Sequence, residues 1–238
     1  MKSQLAAYLN LHNHPVALCK AAQPPEGGRS FSPGQRGCVV SLLAAAAGGE
    51  TTWVSRDTVS CVGGRVGTGF CAPDPDQLGL HLSAGGPAVG SGLFYKQTPE
   101  LAQCYARQLP GIAAGQVLVM KPLDDVTPEE PVEAVVLLVN PDQLAGLVTL
   151  ASYDQPVQDT VQIKFGAGCV QALLYPLADG EAGRNTCTIG LTDPSARRWV
   201  GREELSFALP YARFLELEEK AAESFLSKGI WQWVRNRA

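Results

Sequence analysis

The sequence predicts an α/β protein, with α+β the neighbouring alternative: one domain in which helices flank a mixed sheet. Three observations lead there. Compact strand-like runs at 16–20, 117–121, 135–139 and 161–165 alternate with helical stretches, the pattern that places helices on the faces of a sheet. Apolar residues make up 45% of the 238 residues against 18% charged, enough to bury a sizeable core. The pattern Gly-Cys-Val-x-x-Leu-Leu occurs twice, at 37–43 and 168–174, each time after a strand and a loop and before an apolar helix.

In chain order, a short helix is expected over 3–11, followed by Pro15 and the strand 16–20. Residues 23–37 hold Pro24, Pro25, Gly27, Gly28, Pro33 and Gly34, and so form an exposed connection that leads into the first Gly-Cys. The helix from Cys38 should stop at Gly48-Gly49 in a left-handed cap, and 51–55 has the β-branched and aromatic content of a strand. Asp57 or Thr58 is positioned to cap another helix with Cys61 in its first turn. Residues 73–92, rich in Gly, Pro and Asp, read as loop. Thr98 and Pro99 then open a helix over 98–109. After the strands at 117–121 and 135–139, Asn140-Pro141-Asp142 turns the chain into the helix 143–151. The strand 161–165 precedes the second Gly-Cys helix, a Thr-containing strand lies at 186–189, and a helical pattern runs over 211–227 within a C-terminal helical region 211–234. Both Gly-Cys units read as strand, loop, helix, strand. Residues 12–110 and 130–210 are therefore candidate repeats that a pseudo-twofold axis would bring together at their Gly-Cys openings.

Those openings carry the chemistry. A thiol at a helix start sits among unpaired backbone N–H groups and the positive end of the helix dipole, which favours thiolate. Thiolates bind soft metals and attack electrophiles. Gly63, Gly64, Gly67 and Gly69 thin out the side chains around Cys61, either to let backbone approach a bound group or to allow tight helix packing.

Composition excludes several classes. Nineteen Lys and Arg against 23 Asp and Glu give a net charge of −4, so no basic excess exists to attract nucleic acid. The Trp231/Trp233 tail, basic over 228–237, reads as a terminal helix docking its indoles. The chain lacks both the Gly-x-Gly-x-x-Gly and the Gly-Lys-Ser/Thr signatures of phosphate-cradling loops. No apolar run is long enough for a transmembrane span, and the first eleven residues are too polar for a signal peptide, so the expectation is a soluble cytoplasmic protein whose seven cysteines stay reduced.

The assembled blocks resemble the family called domain of unknown function 169. The resemblance rests on 15–20, Cys38 with its helix, Ser60-Cys61-Val62-Gly63-Gly64, the strand 135–139 with Asn140-Pro141, Gly168-Cys169 through Tyr175-Pro176, and 185–198. It implies an α/β fold, and it implies no activity. It places the habitual cysteines of the family on Cys38, Cys61 and Cys169. Where the family commonly has a further cysteine directly after the glycine at Gly190, this chain has Leu191 and carries Cys187 three residues before that glycine.

Dispersed reduced thiols suit an iron–sulfur cluster or another metal or redox cofactor, and the expected ligands are Cys38, Cys61 and Cys169, with Cys187 as a substitute fourth and Gly63 and Gly64 beside the cofactor. A ribbon-type zinc site is disfavoured because no Cys-x-x-Cys pair exists. Haem is a side expectation, without the Cys-x-x-Cys-His attachment. The alternative is a non-catalytic small-molecule-binding protein with a Gly-lined pocket and structural cysteines. A cysteine nucleophile is a third reading, in which Cys169 or Cys61 would need a base among His12, His14 and His81, the three imidazoles of the chain. Cys19, Cys71 and Cys104 read as packing residues. A redox partner or small molecule follows from the cofactor reading, and a homo-oligomer stays open.

Overall fold

The computed structural model describes residues 2–156 and 159–235; Met1 and Arg237, which entered the reading of the two termini, lie outside the described residues. Ser3 accepts the Ala6 amide and starts α1 (Gln4–Leu9), which ends on Asn10 in the left-handed conformation. β1 (Val16–Ala21) alternates its side chains between two faces. After the long loop come α2 (Val39–Ala47) and β2 (Thr52–Ser55), with the left-handed residue at Gly49 (φ 107) and not at Gly48. Cys61 itself caps α3 (Val62–Gly67), one position outside the helix that Asp57 or Thr58 was expected to start.

The stretch expected as loop over 73–92 folds α4 (Pro75–Leu82) and the small hairpin β3 (Gly85–Gly86) and β4 (Gly90–Ser91). Asp74 accepts the Asp76 and Gln77 amides while Pro75 takes the first helical position. Leu78 and Leu82, four apart, supply the buried side. The density of Gly and Pro masked this Asp-Pro helix start. The chain continues through α5 (Pro99–Ala106), β5 (Val117–Pro122), β6 (Val132–Val139), α6 (Pro141–Ala151) and β7 (Val161–Ile163). Asn140 and Gln143 form a reciprocal capping box on α6. Gly168 and Cys169 open a helix whose first turns, Val170–Leu174, are π-type before α7 (Tyr175–Glu181). β8 (Cys187–Gly190), β9 (Leu205–Pro210), α8 (Tyr211–Ala221) and α9 (Gly229–Arg235) complete it.

The seven-stranded sheet runs β2-β5-β1-β6-β9-β8-β7, antiparallel throughout except for the parallel pair β7 and β8. It is the middle of three layers. On one face Leu18, Met120 and Val136 pack against α2 and the π turns (Leu42, Leu43, Ala172, Leu173). On the other, Ala17, Val135, Leu137 and Phe207 pack against α1, α6 and α8, with Trp231 of α9 closing the layer. Trp231 donates to the Tyr8 carbonyl at 2.8 Å, whereas Trp233 is 74% exposed, so one indole docks and not two. No helix among the described residues is long and apolar enough to cross a membrane.

Both Gly-Cys units do join parallel strands through a helix. The first pair, β1 and β2, has β5 between its strands, while β7 and β8 are direct neighbours, so the strand order does not carry one unit onto the other by a twofold rotation.

The second layer holds a fully buried cation. Arg213, fully buried, donates to both carboxylate oxygens of Asp154 at 2.9 and 2.7 Å, to the Ala151 carbonyl and to Glu216. The guanidinium pulls the Asp154 carboxyl down to about 2. A depressed carboxyl stabilises the fold fully above its unfolded pKa near 4, and that contribution is lost as pH falls toward 2. Arg213→Met removes a fully buried guanidinium from Asp154, Glu216 and the Ala151 carbonyl and should cost about 1–3 kcal/mol in urea unfolding at pH 7, the size of lost charge-assisted hydrogen bonds, since both carboxylates keep solvent contact. The same variant should lack the part of the stability decline between pH 4 and 2 that the wild-type pair supplies.

Candidate functional site: a thiol cluster under a cavity

Three helix starts meet on the first face of the sheet. Cys38 stands in extended conformation before α2, Cys61 in the same conformation before α3, and Cys169 in the opening turn of the π segment. Glycine permits the approach: a Cβ on Gly67 would lie 2.6 Å from the Cys169 Cβ, and one on Gly64 would lie 2.8 Å from the Cys61 Sγ. Gly64 also donates its amide to that sulfur at 3.2 Å, and Gly63 lies against Ala167. Between the two roles open to these glycines, packing is what Gly64 and Gly67 perform, while Gly63 lines the cavity.

The thiols are unequal. Cys38 is pulled down to about 7, first by a hydrogen bond from the Cys169 thiol and further by the Val40 and Ser41 amides, against the opposing effect of burial. Cys169, holding the shared proton and buried, is pushed well above the ordinary thiol range. Burial raises Cys61, partly offset by the Gly64 amide. Of the three, Cys38 is therefore the thiol most readily ionised.

Cys38 and Cys61 line a cavity of about 1030 Å³, and Cys169 sits behind Cys38. The walls come from the loop before α2, the start of α3, α4, the hairpin, α5 and the loop after β8. Asp193, 5% exposed, ties these walls together: its carboxylate accepts the Gly168 amide, the Tyr95 hydroxyl, and both the amide and hydroxyl of Ser195, each at 2.9 Å. Gln171, fully buried in the π turns, donates to the Lys164 carbonyl and the Thr192 hydroxyl and accepts the Thr192 amide. Single π turns inside helices recur at functional sites. Sequence reasoning missed Asp193, Tyr95 and Gln171. Asp193-Pro194-Ser195 is a readable Asx-turn signal, while nothing local announces the other two.

Cys187 is not part of this cluster. It is fully buried on the opposite face of the sheet with Phe207 and Phe214, and burial pushes its thiol up to about 12 despite the nearby Arg213. The four-cysteine set is thereby corrected to three. The position after Gly190 does face the cluster: Leu191, fully buried and held at φ 57, places a methyl 3.1 Å from where a Gly168 Cβ would stand, in the same packing cluster as Cys169. Among the described residues no group of three or more His, Cys, Asp and Glu has the spacing that holds a metal ion, and no imidazole hydrogen-bonds a cysteine. His81 lines the cavity; His12 lines a separate small hollow beside Trp231, and His14 packs near Gly49. Cys19 is buried on the second face, Cys71 borders a shallow hollow and Cys104 is exposed.

Fold and site thus define a three-layer α/β protein with cysteines lining a large cavity. The chain matches the family described as uncharacterised ArCR, domain of unknown function 169, over residues 4–220, and belongs to it. No curated protein and no solved structure gives a match.

In reduced protein, iodoacetamide should label Cys38 with a pH midpoint near 7 by mass spectrometry, while Cys187 and Cys19, both raised to about 12, react only on unfolding. Cys169→Ala removes the donor and should move the Cys38 midpoint upward, towards that of an ordinary thiol. Gly67→Ala should cost about 1–3 kcal/mol by overpacking onto the Cys169 backbone, read as a lower urea midpoint.

Proposed function

We propose that this protein binds a thiophilic cofactor, an iron–sulfur cluster or another soft metal centre, through Cys38, Cys61 and Cys169, with the cavity above it receiving an exchangeable ligand. One observation carries the reading: three cysteines 23 and 108 residues apart in sequence are drawn to one point by three helix starts and by glycines that make room for them.

The donor chemistry fits such a group. Three thiols with little side-chain bulk between them offer soft ligands, and Cys38 is already close to deprotonation at neutral pH. The spacing is that of hydrogen-bonded thiols and not of a closed metal site, so binding would displace the proton shared by Cys38 and Cys169 and free Cys61 from the Gly64 amide. When bound, such a centre would supply electron transfer or Lewis acidity facing the cavity. Asp193 and Gln171 would act through the backbone, fixing the Gly168 turn that carries Cys169.

A second reading, a small-molecule-binding protein whose thiols only pack, is favoured by the cavity volume and by the absence of a preset metal group among the described residues. Purification without oxygen separates the two. The cofactor reading expects visible absorption or stoichiometric iron, sulfide or zinc, lost in Cys38→Ser and in Cys169→Ser while far-ultraviolet circular dichroism is retained. Colourless, metal-free protein that also fails to take up iron and sulfide under reducing reconstitution would overturn it.

A further inference from the structure

The walls of the cavity carry more cationic than anionic side chains. Three guanidinium groups, Arg29, Arg36 and Arg198, line it, against the single carboxylate of Asp193. That carboxylate is turned inward, with both oxygens committed to Gly168, Tyr95 and Ser195. Arg29 is held by Glu50 at 3.1 Å. Arg36 and Arg198 make no ion pair and no hydrogen bond with any described residue, and Arg198 rests at 4.9 Å on the ring of Trp199, which also lines the cavity. Two solvent-exposed guanidinium groups free of ion pairs thus border one cavity.

Opposite the arginines the lining is apolar, with Leu78 and Leu82 of α4, Val89, Leu93, Leu109 and Phe31. A volume of about 1030 Å³ exceeds what a metal centre alone would fill and suits a ligand of drug size or larger. Guanidinium forks match planar or tetrahedral oxyanions through paired N–H donors, and a concave basic rim raises the local concentration of anions.

We infer that the ligand of this cavity is an amphipathic oxyanion: a carboxylate, phosphate or sulfonate head held at the rim by Arg36 and Arg198, and an apolar or aromatic body lying against α4 towards the thiols. The inference rests on the cavity being a ligand site, which both readings above share, and it does not require a metal.

Two fluorescent probes of nearly the same body test it on the full-length, reduced, metal-free protein. The anionic probe is 1-anilinonaphthalene-8-sulfonate and the neutral one is N-phenyl-1-naphthylamine. The sulfonate should bind at least about tenfold more tightly, with affinity that falls as salt rises from 50 to 500 mM, since about one charge-assisted hydrogen bond separates the two. Arg36→Gln and Arg198→Gln should each weaken the sulfonate several-fold and leave the neutral probe unchanged, which also reports an intact cavity. Equal binding of the two probes, or variants that weaken both alike, would overturn the proposal. Cys38→Ser takes away a metal ligand and a thiol that ionises near neutral pH, so the preference for the sulfonate should persist or grow there, and loss of cofactor binding and loss of anion preference are separate results.

Discussion

Gly67 has no side chain where a Cβ would meet Cys169 at 2.6 Å, and the functional half of the molecule depends on that gap. Because α3 can lie directly on the Gly168-Cys169 turn, its capping residue, Cys61, is carried to the start of α2, which Cys38 precedes. The contact closes between segments more than a hundred residues apart and therefore costs chain entropy that only the surrounding core can offset. The core does so with fully buried Val40, Leu42 and Leu43 of α2 packing against Ala172 and Leu173 of the π turns. The cluster is thus held by apolar burial on one side and by the absence of side chains on the other.

The proton shared by Cys38 and Cys169 follows from this arrangement. A buried thiol pair in contact holds one negative charge far more readily than two, and the sulfur nearer the cavity and the α2 amides is the one that ionises. Asp193 opposes the charge, raising both thiols, yet it also has a mechanical effect, since its carboxylate receives the Gly168 amide and Tyr95 and so adds to the tie that Gln171 and Thr192 make between the loop after β8 and the second Gly-Cys helix. Electrostatic cost and positional gain come from the same side chain.

How far the sequence disclosed this differs by element. β1, β5, β6 and the strand stretch at 161 were legible because β-branched runs bounded by turn residues have few alternatives. α4 was not, because Pro75 and the glycines around it suit loops as well as helix starts, and the deciding contacts of Leu78 and Leu82 are tertiary. Cys38, Cys61 and Cys169 were legible as a set from the repeated Gly-Cys opening and the Cys61-Val62-Gly63-Gly64 block. Their convergence was not, since it depends on which helix faces meet.

Cys187 shows where local reading fails for a definite reason. On a strand, neighbouring positions point to opposite faces, so a substitute ligand displaced by an odd or even number of residues changes its layer according to how the strand ends. β8 directs Cys187 and Ile189 into the layer of α6 and α8, and only beyond Gly190 does the chain bend, with Leu191 in the left-handed region, to return a side chain to the thiol face. A non-glycine residue in that conformation costs about 1–2 kcal/mol and persists where packing over-determines it. Leu191 is over-determined in this way, fully buried against the Gly168 turn. The corner of the cluster nearest Leu191 is therefore closed by hydrocarbon, and the open approach to the thiols is the cavity that Cys38 and Cys61 line and Arg36 and Arg198 rim. A ligand in that cavity would meet both the guanidinium groups and the thiols, which would make the charge of the one and the softness of the other two requirements on the same ligand.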